Sequence, residues 1–401
     1  MQTKSDIIII GGGLVGLTAA LACAHKGASV IIIDSQDPED YLEAEFDGRA
    51  SAIAASSWRM YQHLGIDQHL QDHVEPITDI LISDGETGGY ISPLTLHFDS
   101  EDAGGEPMGY MMENRRLRRA LFETVKATDA VQMIAPARVQ SFEEQAARII
   151  VELEDTSLSA SVLIAADGRN SWCRRQAGIS VSTIPYKQKA IVTTVVHEKP
   201  HDGVAHELFL PHGPFAILPL TENRSSIVWT DTPAAVDAAM ALPEPMFAAE
   251  LARRFGNLYG EVGPCAPRWA YPLSLQMAEK YVDGRLALIG DAAHAIHPIA
   301  GQGLNMGLRD AAALADVVYE ARSNGLDIKL QLSDLEIWRN FDNRVLAAST
   351  DIFNRLFSNN IAPIKHARRL GLGLMDKIKP AQSFFIREAA GLHGELPSLL
   401  R

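Results

Sequence analysis

The stretch that most constrains this chain runs from Ile7 to Asp34, IIIIGGGLVGLTAALACAHKGASVIIID. A continuous apolar run, Ile7 to Ile10, passes straight into Gly11, Gly13 and Gly16. Residues Leu14 to His25 then read as a helix, and a second apolar run, Val30 to Ile33, closes on Asp34. Strand, turn, helix and strand within this span make a βαβ unit. In the G-x-G-x-x-G pattern the first glycine permits a tight turn, the second lets backbone approach a pyrophosphate, and the third packs helix against strand. The helix start at Gly13, Leu14 and Val15 favours phosphate charge. Asp34 can accept from a ribose hydroxyl and would repel a 2′-phosphate, which favours FAD or NAD over NADP here. Glycines alone could be a tight turn in any α/β protein; the strand before, the helix after and the carboxylate beyond select a dinucleotide.

The totals exclude other classes. Fifty acidic residues against 36 basic ones give a net charge of −14 in 401 residues, which leaves no general basic surface for a nucleic acid. Cys23, Cys173 and Cys265 are too far apart for a CxxC motif and odd in number, so a reducing compartment is expected. The apolar run at the N-terminus is far shorter than the roughly 20 residues of a membrane span, and no signal-peptide pattern follows it. A cytoplasmic protein is the expectation, without excluding the membrane surface.

Along the chain no 20 to 50 residue repeat is visible. Residues 50 to 65 carry helical spacing and stop at Gly65. DILISD and ISPLTLHF are strand-like, 99 to 106 is an acidic loop, and 114 to 127 is helical. ARIIVELE and ASVLIAADG read as strands, 186 to 232 alternates as several more, and helical patterns follow Gly303 to the end. This order predicts an α/β (α+β) fold of two interleaved domains: a Rossmann-like nucleotide domain from 1–70, 108–180 and 273–345, a mostly antiparallel β-sheet substrate domain from 71–107 and 181–272, and a helical C-terminal segment, 346–401.

GDAAHAIHPIAGQGLNMGLRDA, residues 290 to 311, offers His294, His297 and Asp291 as metal ligands. Pro298 disfavours helix at His297, and no further ligand completes a set, so no metal is expected. RLALIG is instead a strand ending at Gly290, which puts Asp291 at the carboxyl end of the sheet, the usual ligand side. The glycines before a helix beginning near Leu304 present backbone N–H groups to developing negative charge, as on a flavin ring being reduced. The stretch is a cofactor cradle with the histidines in its wall.

Together GGGLVG with Asp34, AADGRNSWCRR and GDAAHAIHPIAGQGLNMGLRD resemble the single-component flavoprotein aromatic hydroxylases of the p-hydroxybenzoate hydroxylase type, over most of the chain from Ile7 to about Asn343. GPFAILPL with SSIVWT, YPLSLQMAEKYVDGRLALIGDAAH and YMMENRRLRRAL resemble the ubiquinone-biosynthesis branch. The resemblance implies that Gly11, Gly13, Leu14, Val15, Gly16 and Asp34 hold the ADP half of FAD, that Arg49 and Arg115 stand near the flavin, and that Val139 lines the adenine pocket. It implies pyrophosphate and nicotinamide handling for Asp167 and Gly168, ribitol or ribose contacts for Gly290 and Asp291, and a loop beside the reactive ring from Pro298, Gly301, Gln302, Gly303, Leu304 and Asn305. His206 and Glu207 depart from the family, where glutamine often precedes the FLP run, so substrate contacts in that strand stay open.

The family chemistry is reduction of FAD by NAD(P)H, reaction with O2 to a C4a-hydroperoxyflavin, and oxygen transfer to an electron-rich phenolic ring. Pro298 and His297 are the candidate catalytic positions; His297 and His212 are candidate bases, each equally readable as structural. Residues 352–401 hold eight Lys and Arg against three acids, net +5, which leaves −19 for residues 1–351. Ile364, Ala367, Leu370, Leu374 and Ile378 at helical spacing read as a helix on anionic lipid at the inner membrane surface, or as a core helix. The expected partners are a prenylated phenolic precursor, O2 and other ubiquinone-biosynthesis proteins. Two alternatives stay open: a hydroxylase of small soluble aromatics, and a flavin-binding assembly protein without turnover.

Overall fold

The structure, a computed structural model, describes residues 3–42, 46–86, 90–101, 105–298, 301–357, 390–392 and 394–401. Its first sheet forms around Thr3–Ile10, whose four isoleucines are at most 9 % exposed. Parallel partners, Ser157–Ala165 and Val30–Ile33, flank this strand, with Leu286–Leu288 and Val131–Ile134 parallel beyond them. Both faces are covered, which is why these strands read as unbroken apolar runs. Ile7, Ile9, Val30, Ile32, Val162 and Ile164 pack against the helices Leu14–His25, Asn114–Lys126 and Gln302–Ser323. Ile8, Ile31 and Leu163 face the smaller layer holding Ser141–Glu144 and Ile149–Glu152. Each isoleucine so buried stabilises by about 1.5–3 kcal/mol.

A second, nine-stranded sheet carries, in order, His294–Ala295, Trp269–Ala278, Val181–His197, Arg224–Asp231, Gly213–Leu220, Val204–Leu210, Asp79–Glu86 and Tyr90–Asp99, with Val262–Pro264 beside Val181–His197. Its pairings are antiparallel except for Val204–Leu210 with Asp79–Glu86. One face is sealed by Pro233–Met240 and Glu244–Phe255. The other looks toward a three-stranded sheet of Ala50–Ala54, Gly109–Glu113 and Val74–Ile77, whose Ile53 and Met112 pack into the core of the first sheet and whose Ile77 and Met111 pack toward the second.

The helix expected over 50–65 is replaced at its start by a strand. Ala50–Ala54 pairs with Gly109–Glu113, and only Ala55–His63 is helical. The reason is tertiary: Asn305 on the helix Gln302–Ser323 accepts from Ala54 N at 2.9 Å and donates to Ala52 O at 2.8 Å, and such anchoring overrides weak local propensity. The helix expected near Leu304 begins at Gln302, and the long helix Ile328–Phe357 crosses the boundary drawn at 345. The amphipathic pattern at 364–378 lies outside the described residues. Leu399 and Leu400 close the chain in a 3-10 turn buried against the helical layer.

Candidate functional site

At the carboxyl end of the first sheet the glycines do distinct work. Gly11 has φ +109°, and a Cβ there would stand 2.4 Å from Ala166 O; one at Gly16 would stand 1.9 Å from Gly11 O. These two positions fix the backbone against itself. Gly13, Gly168 and Gly303 differ, because a Cβ on any of them would meet no described residue within 4 Å. Each opens onto free space where a bound group can press against the backbone.

Gly13 caps Leu14–His25 and Gly301 caps Gln302–Ser323, neither with a side-chain hydrogen bond nor with an acid in the first turn. The first-turn N–H groups are left to a ligand. The two helix starts, nearly 290 residues apart in sequence, are packed together: a Cβ at Gly307 would stand 2.7 Å from Val15 Cγ2, and one at Gly290 3.2 Å from Val15 Cγ1. Leu14 and Leu304 lie partly buried beside them. Two positive helix ends in one concavity suit a ligand carrying phosphates at one end and a ring that gains negative charge at the other.

Three carboxylates surround it. Asp34 accepts from Gly12 N at 2.5 Å and Gln36 N at 2.9 Å, which holds it beside a pocket lined by Gly12, Gln36, Arg118 and Met133. Each oxygen retains a lone pair for a hydroxyl. Asp167 accepts from Cys173 N at 3.0 Å through Oδ2, while its Oδ1 is buried without a partner. Asp291 is exposed to solvent yet surrounded by protein, as a side chain standing in a cleft is; burial raises its carboxyl above the ordinary range while His294 and Arg169 pull it down. Val139 lies partly buried against the neighbouring apolar cluster.

Sequence reasoning missed the network beneath Asp291. Asp310 accepts from Gly290 N at 3.0 Å, His294 Nε2 at 2.6 Å, Arg339 Nε at 2.8 Å and Asn343 Nδ2 at 3.3 Å. Burial opposes its charge, but His294 and Arg339 hold the carboxyl well below the usual range. His294 is therefore a wall residue with a partner. The only sequence signal was the GLRD end of the motif, whose partners lie 16 to 33 residues away.

The loop opposite is built by Pro298, whose O accepts from Gly301 N at 3.1 Å, by Gln302, which is 8 % exposed, and by Asn305. Gly301 has φ +62° and abuts Ala52, with Cβ atoms that would meet at 3.1 Å. Arg49 binds Asp47 at 2.6 Å, and Arg115 binds Glu113 at 2.7 Å. The two arginines sit on adjacent paired segments, since Asn114 N donates to Arg49 O at 3.0 Å. His297 is 0 % exposed, lies edge-on to Tyr186 at 5.0 Å, and both ring nitrogens lack a hydrogen-bond partner among the described residues. Burial pushes its pKa down to about 4, Asp351 opposing. His212 stands exposed in a hairpin turn.

Comparison with known proteins places this geometry. A family model described as an FAD binding domain matches residues 4–327. Ubiquinone hydroxylase UbiL of Rhodospirillum rubrum is 47 % identical over 99 % of this chain and 92 % of its own length. The 3-demethoxyubiquinol 3-hydroxylase of Escherichia coli is 34 % identical over 97 % of this chain and 99 % of its own. The crystal structure of p-nitrophenol 4-monooxygenase PnpA from Pseudomonas putida superposes with TM-score 0.81 at 19 % identity, covering 98 % of this chain and all of that one.

Proposed function

Because the chain belongs to the FAD binding domain family, and two relatives matched at nearly full length are a ubiquinone hydroxylase and a 3-demethoxyubiquinol 3-hydroxylase, we propose that it is an FAD-dependent monooxygenase that uses NAD(P)H and O2 to hydroxylate the ring of a polyprenylated phenol in ubiquinone biosynthesis. The observation that carries this reading is the meeting of two uncapped helix starts over glycines that open onto free space. Such a cradle suits the phosphates and the reducible ring of a flavin dinucleotide.

The residues divide the work. Gly13 and the first turn after it would take the pyrophosphate, Asp34 the adenosine ribose, and Asp167 and Asp291 hydroxyls and N–H groups of the central part. Bound FAD supplies hydride acceptance from NAD(P)H and activation of O2 for insertion of one oxygen atom into the ring. The start of Gln302–Ser323, with Gly303 in its first turn, would stabilise negative charge on a flavin held there. Pro298 and the apolar side chains between the sheets exclude water, which would otherwise divert the oxygen to peroxide. His297, neutral and enclosed, is placed to shape this wall.

A prenylated substrate dissolves in a bilayer, so we also place the protein at the inner membrane surface, drawn there by the net +5 of residues 352–401. No described helix is long and apolar enough to cross a membrane. The test of function is mass spectrometry of lipid extracts from a strain lacking this gene. A prenylated precursor short of one hydroxyl-derived oxygen is expected to accumulate; an unchanged quinone pool would overturn the reading.

A further inference from the structure

The nine-stranded sheet has one sealed face and one open one. Ile191, Val195, Ile217, Ile227 and Trp229, under the two helices, are at most 1 % exposed. On the opposite face Ile82, Val192, Leu218 and Val228 remain partly exposed. Residues directly opposite one another in a sheet point to the same side. The register Ile82, Glu207, Ala216, Val228, Val192 therefore crosses five strands on the open face, with Glu207 its one ionisable side chain.

This face is the one turned to the flavin loop. Ala205 and Phe209, two residues either side of Glu207, pack with Ala50 and Ala52. Ala52 in turn touches Gly301 and is held by Asn305. The side chains bordering Glu207 along and across the strands are Ala205, Phe209, Ile82 and Ala216, two of them small. Glu207 itself is 9 % exposed, and no described residue gives it a hydrogen bond or ion pair. Burial pushes its carboxyl up to about 8, so at neutral pH it carries a proton and is a hydrogen-bond donor. Other charged groups do not account for it. Asp84, further along the adjacent strand, is itself buried and partnered, and His206 points to the other face, its ring 5.7 Å from that of Tyr259. A buried carboxyl without a partner is costly, and a ligand that supplies one repays the cost.

We propose that Glu207 is a specificity-determining residue that donates a hydrogen bond to an oxygen substituent of the substrate's aromatic ring. This rests on the hydroxylase reading and names how that site selects its substrate class, an oxygen-bearing ring over a bare hydrocarbon one.

The test uses the FAD-loaded full chain and two probes, a short-chain 2-prenylphenol and the prenylbenzene lacking the ring oxygen, each titrated by its perturbation of the flavin spectrum. Wild type is expected to bind the phenol about tenfold or more tightly than the hydrocarbon. E207L should bring the two within about twofold by weakening only the phenol, while E207Q, which keeps a donor, should restore most of the difference. Discrimination that survives in E207L, or equal weakening of both probes, overturns the role of Glu207 and leaves the hydroxylase reading intact. Wild-type enzyme that binds neither probe overturns the hydroxylase reading and this inference with it.

Discussion

Single atoms separate the glycines that build the cradle from those that receive its ligand. In Gly16→Ala the new methyl would collide with Gly11 O at 1.9 Å; the expected result is a loss of several kcal/mol of stability, seen as a depressed melting temperature without cofactor. In Gly13→Ala it meets no described residue. That variant should melt as wild type without FAD and bind FAD at least about tenfold more weakly in a fluorescence titration. Asp291→Ala should emerge from gel filtration with little flavin, and a full flavin complement would remove Asp291 from the binding site. Glu207 adds a pH dependence. Its folded pKa of about 8 lies above the unfolded value near 4.3, so the unfolded state loses its proton first and stability falls as pH rises through that window. E207Q removes this loss, so its melting temperature should exceed that of wild type most clearly above pH 8.

At the scale of elements, the parts written locally were legible and those written by contact were not. Leu14–His25 and Val30–Ile33 appear with the bounds the apolar runs mark, because a buried parallel strand and its glycine turn are local signals. Ala50–Ala54 does not, since its strand state depends on Gly109–Glu113 and on Asn305, some 250 residues away. Asp34, Asp167 and Asp291 could be picked from motifs. Asp310 and Glu207 gain their meaning from burial, which no spacing reveals. The Asp310 knot joins two helices to the Gly290 turn, and breaking it takes the acceptor from His294 Nε2 and Arg339 Nε, while Arg339 keeps Asp342 and Asn343. Asp310→Ala is expected to cost about 3–5 kcal/mol in denaturant unfolding. Because the folded carboxyl is depressed, its stabilisation is present in full above about pH 4 and is lost as pH falls below that; a variant as acid-stable as wild type would exclude this linkage.

On the scale of the whole molecule, charge and shape are both asymmetric. The described part of the long helix Ile328–Phe357 leaves Ile337, Phe341, Val345 and Ile352 between 48 and 72 % exposed along one side, and it leads into the segment with net charge +5. Flotation with vesicles rich in anionic lipid should carry the protein upward at low salt, and raised salt should release it; equal recovery with neutral vesicles would dissociate binding from charge. The first sheet has another consequence, one of timing. Its central strand, Thr3–Ile10, lies between chain that follows at once and chain made some 150 residues later, and the sheet is completed at Leu286–Leu288. The helix Leu14–His25 must likewise wait for Gln302–Ser323. On the ribosome, then, both strands flanking Thr3–Ile10 are made within the first 165 residues, but the outer strand Leu286–Leu288 and the covering helix Gln302–Ser323 arrive only when about three-quarters of the chain is made. Until then the face that this helix covers stands open to chaperones and to other chains.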